Sequence, residues 1–211
     1  MKYEIIQTLN YHTNYVCKII ELKNKNLVSC SYDSSIIFYV KDNNEYKKDY
    51  QIQTDGACSS IIQTKDNELC FSESNNNKIC FYDLFERKII CSIKDISKYN
   101  GNREWLIMIK NDLLLIPGNN QISIINTNQH NLVRKIEVPG SSKICGVCML
   151  NKNMLLIGDG SKILRQWKIE GDNLILVSKK ENAHDGYINF LLNIGNGFIA
   201  SGSADNTIKI W

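Results

Sequence analysis

A chain of 211 residues with a formal charge of +3 is long enough for a sizeable core, since a globule of this size hides roughly 70% of its unfolded surface. The charge is thinly spread, and its densest cluster, Lys47-Lys48, is interleaved with acids, which argues against nucleic acid and anionic membrane as partners. No stretch approaches the roughly 20 apolar residues of a membrane span, and the apolar run in "MKYEIIQTLNYH" is too short for a signal peptide. A cytoplasmic protein is expected, with the nucleus as the other compartment.

The predicted elements follow from the amino terminus. "NYVCKIIEL", "NLVSCS", "IIFYV" and "YQIQ" are β-prone segments separated by "KNK", "YDSS" and "KDNNEYKK", the signature of four short antiparallel strands. "SYDSSIIFY" at 31–39 then returns in weaker copies: "SNNNKICFY" at 74–82, "PGNNQISII" at 117–125, "DGSKILRQW" at 159–167 and "SADNTIKIW" at 203–211. Units therefore end near 39, 82, 125, 167 and 211, and a period of this length signals stacked supersecondary units. Inner segments such as "ICFY" and "ISII" lack polar alternation, so both faces of each small sheet are expected to be covered. The chain predicts an all-β fold: a single domain, 1–211, of five four-stranded antiparallel sheets arranged radially as a β-propeller.

Eight cysteines lie scattered through the apolar runs, as expected of free thiols serving as small hydrophobes. "CGVC" at Cys145–Cys148 has metal-knuckle spacing, yet on a strand residues three apart point to opposite faces. The three histidines, His12, His130 and His184, lack zinc-site spacing. "GDGSK", from Gly158 to Lys162, reads as the turn of the fourth unit rather than a phosphate loop. No cofactor and no metal site are expected.

The residues carry a family resemblance. The chain resembles the WD-repeat β-propellers, whose unit places a His before the first strand, an Asp in the turn between the second and third strands and a Trp closing the third. His12, Asp33 and Tyr39 match in the first unit, and His184, Asp205 and Trp211 in the fifth. In the middle units Asp55 and Gly140 stand at the His position, the third has no equivalent near Lys98, and Asn76, Asn119 and Ser161 replace the turn Asp. Less rigid or distorted middle units are expected. The resemblance also implies that Tyr3 to Leu9 supplies the fourth strand of the last sheet and closes the ring. An open arc belonging to a longer chain is the alternative.

His12, Ser29 and Asp33, repeated as His184, Ser201 and Asp205, hold the ingredients of nucleophilic hydrolysis. The resemblance implies a structural brace instead, with Trp211 as its last member, and no Gly-x-Ser-x-Gly elbow accompanies either trio. No catalytic residue is expected. By the same resemblance the residues before the first strand and beside the turn Asp line a binding face: Tyr15, Tyr32, Lys143 and Tyr187, with Arg103 a looser match beside Trp105. The implied function is a non-enzymatic scaffold for proteins or peptides. A substrate-recognition module of a ubiquitin ligase or similar complex is the alternative, and a propeller enzyme a third reading. The partner's identity and the oligomeric state stay open.

Overall fold

The computed structural model describes residues 4–73, 77–96, 106–110 and 112–211. Among them every regular element is a β-strand. The chain divides into two compact units, residues 1–94 and 95–211. In the first unit, β1 (Val16–Glu21), β2 (Leu27–Ser31), β3 (Ser35–Asp42) and β4 (Glu45–Gln53) form one antiparallel sheet, and β5 (Cys58–Lys65), β6 (Glu68–Glu73), β7 (Lys78–Asp83) and β8 (Lys88–Ile93) a second.

The second unit continues the pattern. Its third sheet holds β9 (Ile107–Lys110), β10 (Leu113–Pro117), β11 (Gln121–Asn126) and β12 (Asn131–Glu137). The fourth holds β13 (Ile144–Asn151), β14 (Met154–Asp159), β15 (Leu164–Glu170) and β16 (Asn173–Lys180), and the fifth β17 (Ile188–Gly195), β18 (Phe198–Ser203) and β19 (Ile208–Ile210). Among the described residues the second, third and fourth sheets each hold four strands.

Strand register gives the repeat its physical meaning. Tyr39 sits opposite Leu27, Tyr82 opposite Leu69, Ile125 opposite Leu114 and Trp167 opposite Leu155. Trp211 exchanges both backbone hydrogen bonds with Ile199, at 2.9 and 3.1 Å. In four sheets a bulge falls between this residue and the one before it: Phe38/Tyr39, Phe81/Tyr82, Ile124/Ile125 and Gln166/Trp167. An extra residue there bends and twists the outer hairpin. The turn is shared as well. Ser34, Asn77, Lys162 and Asn206, five residues before the repeat's end, all have positive φ, from 45 to 66°.

The middle strands are buried on both faces, β6 and β10 throughout, whereas outer β4 alternates between half-buried and exposed residues along much of its length. In the first unit Val28, Phe38, Ile61, Phe71 and Tyr82 share one core between its two sheets. In the second, Leu115, Ile124, Leu155 and Ile157 fill the space between the third and fourth sheets, and Leu164, Ile188, Leu191 and Ile199 that between the fourth and fifth. Close approach there depends on glycine, since a Cβ on Gly158 would lie 2.5 Å from Ile188 Cγ2.

One expectation fails. Among the described residues the fifth sheet has three strands, and residues 4–10, most of the segment expected to complete it, form none. The Gln7 carboxamide instead donates to Tyr46 O at 2.6 Å and accepts from Tyr46 N–H at 2.8 Å. A side-chain amide thus mimics one rung of a ladder on β4, which leaves Ile5 and Ile6 exposed.

Candidate functional site

The turn between the second and third strands gathers the predicted side chains. In the first sheet His12 Nδ1 lies 2.8 Å from Asp33 Oδ2 and Nε2 lies 2.7 Å from Ser29 Oγ, which in turn is 3.1 Å from Tyr39 OH. In the fifth, His184 Nδ1 lies 2.8 Å from Asp205 Oδ2 and Nε2 2.6 Å from Ser201 Oγ, and Trp211 Nε1–H donates to the same oxygen at 2.8 Å. Because Nδ1 faces a carboxylate, it carries the imidazole proton, and Nε2 accepts from the serine hydroxyl. Sequence separations of 21 and 17 recur in both sheets.

The two aspartates also tie the turn to the incoming loop. Asp33 Oδ1 accepts from Ser35 N–H at 2.9 Å and Asp33 Oδ2 from Thr13 N–H at 2.9 Å. Asp205 does the same with Thr207 and Asp185, both at 2.9 Å. Burial alone would raise the Asp33 carboxyl, but hydrogen bonds from Ser35, Thr13 and His12 outweigh it and hold the pKa at about 2. Hydrogen bonding from the Thr207 hydroxyl leads the causes that depress Asp205, opposed by burial and aided by Asp185 N–H and His184.

Linkage then fixes a sign. A carboxyl with a depressed folded-state pKa contributes stability that is present above its unfolded value, about 4, and lost as pH falls through its folded value. The stability difference between the chain and Asp33→Asn is expected to shrink as pH drops from about 4 to about 2. Melting curves across that window check it, and a constant difference would refute it.

In two of the three sheets that lack the His and Asp, the second and the fourth, ion pairs take their place, and these the sequence reading missed. In the second sheet Lys78 Nζ lies 2.9 Å from Glu73 Oε2 and 2.7 Å from Asp55 Oδ2, with Glu73 wholly buried. Asp55 stands at the His position by count, so the second sheet joins its loop to its turn by charge. In the fourth sheet Asp159 and Arg165, 0% and 3% exposed, form a buried ion pair. Asp159 Oδ1 accepts from Ser161 N–H at 2.8 Å, and Arg165 donates to Pro139 O at 3.1 Å. Ser161, standing for the turn Asp, donates to Gly140 O at 2.6 Å and accepts from Ser142 N–H at 3.1 Å. The signal available was an acid closing an apolar strand, "ELCFSE" and "MLLIGD"; "GDGSK" thus begins inside β14. Ile157 occupies the register place of Ser29, opposite Arg165 as Ser29 is opposite Ile37, and the buried Trp167 indole N–H has no partner.

The predicted binding residues sit where a backbone hydrogen bond joins each turn to the entry of its first strand. Tyr32 N–H donates to Tyr15 O at 3.0 Å, Gly160 N–H to Lys143 O at 2.7 Å and Ala204 N–H to Tyr187 O at 2.9 Å. In the first unit the Tyr15 and Tyr32 rings meet edge to face, 6.3 Å apart, with Tyr15 77% exposed. In the second, Tyr187 Cδ1 and Lys143 Cβ would each lie 3.6 Å from a Cβ on Gly160. Ser142 Oγ, 2.6 Å from that Cβ position, takes up the space a side chain would need, and Tyr187 is 55% exposed. Arg103 and Trp105 lie outside the described residues.

Cys145 and Cys148 are free and half-buried on β13. A bulge between Ile144 and Gly146 places Cys145 outside the regular alternation, and Cys148 packs against the core between the fourth and fifth sheets. Among the described residues no group of three or more His, Cys, Asp or Glu is placed to hold a metal ion, and no helix is long and apolar enough to cross a membrane.

Comparison with known proteins adds two findings. The family model described as WD domain, G-beta repeat, matches residues 177–211, the span that holds His184, Ser201, Asp205 and Trp211. A chain from a solved structure titled "Crystal Structure of Mitotic Checkpoint Complex" is similar with a TM-score of 0.78, over 98% of this chain at 16% identity. This chain spans 64% of the length of that one. Comparison with curated proteins gives no match. The family model thus marks a WD repeat at residues 177–211; strand register and the His–Asp turn repeat the same pattern in the first sheet, and the likeness to the solved chain is one of fold.

Proposed function

We propose that this chain is a non-enzymatic scaffold that binds other proteins or peptides through the loops at its strand entries. The observation that carries the reading is the exposed tyrosine held beside a hydrogen-bonded turn: Tyr15 with Tyr32 in one unit, Tyr187 with Lys143 in the other. Tyrosine buries large area at low entropic cost, and rigid turns spare the ordering penalty of a loop. The similar solved chain comes from a protein complex, which fits a scaffold.

A hydrolase reading has the right contacts and the wrong setting. The Asp–His–Ser geometry is that of a triad, but Ser201 is 0% exposed and its oxygen already receives the Trp211 indole N–H. A nucleophile needs a reacting carbon within about 3–3.5 Å. Two such sets, one per unit, suit a repeated structural part. The substrate-reading arm of a ubiquitin ligase is a narrower form of the scaffold proposal.

The test uses Tyr15→Ala/Tyr32→Ala and Tyr187→Ala. Each is expected to lose bound partners by at least about tenfold in a quantitative pulldown while the melting temperature stays within about 2 °C, since a hot-spot tyrosine contributes about 2 kcal/mol or more to binding. Unchanged capture by both variants would refute the assignment. Turnover of generic ester or peptide substrates that disappears in Ser201→Ala would favour the enzyme.

A further inference from the structure

The fourth sheet runs β13-β14-β15-β16, so its outer strand is paired on one side only. Edge strands are commonly guarded by charges against pairing with another chain, and two other outer strands carry them: Lys47, Lys48 and Asp49 on β4, Arg134 and Lys135 on β12. β16 departs from this rule. Asn173 to Ser178, "NLILVS", holds no charge, and Ile175, Leu176 and Val177 are 42, 43 and 53% exposed. Its backbone is set for pairing as well. Ile169 N–H donates to Asn153 O at 2.7 Å, toward β14, and Ile169 sits opposite Leu174. Antiparallel alternation therefore turns the N–H and C=O groups of Leu174 and Leu176 to the open side.

The two ends of the strand decide what fits there. Glu170 pairs with Lys168 and Lys179 with Glu181, both at 2.6 Å. Asp172 just before β16 and Lys180 at its end are left as opposite charges without an ion-pair partner among the described residues. An antiparallel strand that carries the same two charges in the same order meets each with its opposite. β8, also uncharged from Ile89 to Ile93, is flanked by lysine at both ends, Lys88 and Lys94, and would meet a copy of itself with like charges. We propose that the edge of β16 binds β16 of a second copy of this chain, antiparallel about a twofold axis at Ile175. Leu174 and Leu176 of each copy then exchange main-chain hydrogen bonds with Leu176 and Leu174 of the other, Ile175 meets Ile175, and Asp172 comes toward Lys180. Val177 is the extra residue of the bulge opposite Gln166 and Trp167 and ends the regular ladder, so the contact is short and the dimer weak and reversible. This surface lies beyond the loop reading and does not depend on it.

Sedimentation velocity of the 211-residue chain over about 5 to 500 µM tests it, a range suited to a small interface. A monomer–dimer equilibrium is expected. Ile175→Lys, which sets two ammonium groups opposite each other across the twofold, should weaken it by about five- to tenfold. Asp172→Lys and Lys180→Asp should each weaken it by about two- to fivefold. An equimolar mixture of those two variants should associate to within about twofold of the unchanged chain, because each then meets its opposite charges on the other. A chain that stays monomeric throughout, a dimer indifferent to Ile175→Lys, or a mixture that recovers nothing would overturn the proposal. So would a monomer whose Leu174 and Leu176 amides exchange slowly with solvent, since another part of this chain then covers the edge. None of these outcomes bears on the tyrosine variants, so the loop reading stands or falls separately.

Discussion

Arg165→Met and Asp159→Ala, each made singly, are expected to destabilise the second unit by about 3–5 kcal/mol, because each leaves its partner as an uncompensated charge in the interior. Neither group has solvent to fall back on. Burial already lowers the Arg165 guanidinium from its usual value, and the pair is 3% and 0% exposed. The double variant should recover much of the loss, since replacing a whole buried ion pair with apolar side chains is often close to neutral. It will not recover all of it: the Asp159 oxygen that receives Ser161 N–H also goes. Chemical denaturation of the four proteins forms a cycle. Additive losses would show that the two side chains are not coupled, and single losses below about 1 kcal/mol would place the pair in water.

His184→Ala is expected to cost about 2–3 kcal/mol. The imidazole is 1% exposed and bridges Ser201 to Asp205, and leaving a buried polar group unpaired costs about 1–3 kcal/mol. Two partners are orphaned here, although Trp211 still donates to Ser201 and Thr207 to Asp205. Those remaining bonds cap the loss. His12→Ala should behave alike in the first unit, where Ser29, Asp33 and Ser35 surround the ring. The measurement is a denaturation midpoint, read with unchanged far-ultraviolet circular dichroism. A loss under about 0.5 kcal/mol in both variants would mean that the imidazoles do not brace these turns.

Much of the architecture was legible because strand pairing repeats with the residues that mark it. Tyr39, Tyr82, Ile125 and Trp167, taken as the ends of repeats, fall at matching register in four sheets. The bulges before them left no sequence mark, since an extra backbone residue needs no particular side chain. The amino-terminal strand was misread because "YEIIQTL" has strand composition, and composition does not say that Gln7 will spend its amide on Tyr46. The ion pairs were missed for a related reason. Glu73 and Asp159 look like ordinary strand-end acids, and their partners Lys78 and Arg165 lie five and six residues on, across a turn. Period-2 logic on "CGVC" likewise assumed a regular strand, where Cys145 falls at a bulge.

The left-handed residue shared by four turns has a longer reach. Ser34, Asn77, Lys162 and Asn206 keep one backbone path while the groups clasping it change from imidazole and carboxylate to ammonium or guanidinium and carboxylate. Such a path accepts chemically different fastenings, so long as each can still hold the loop to the turn.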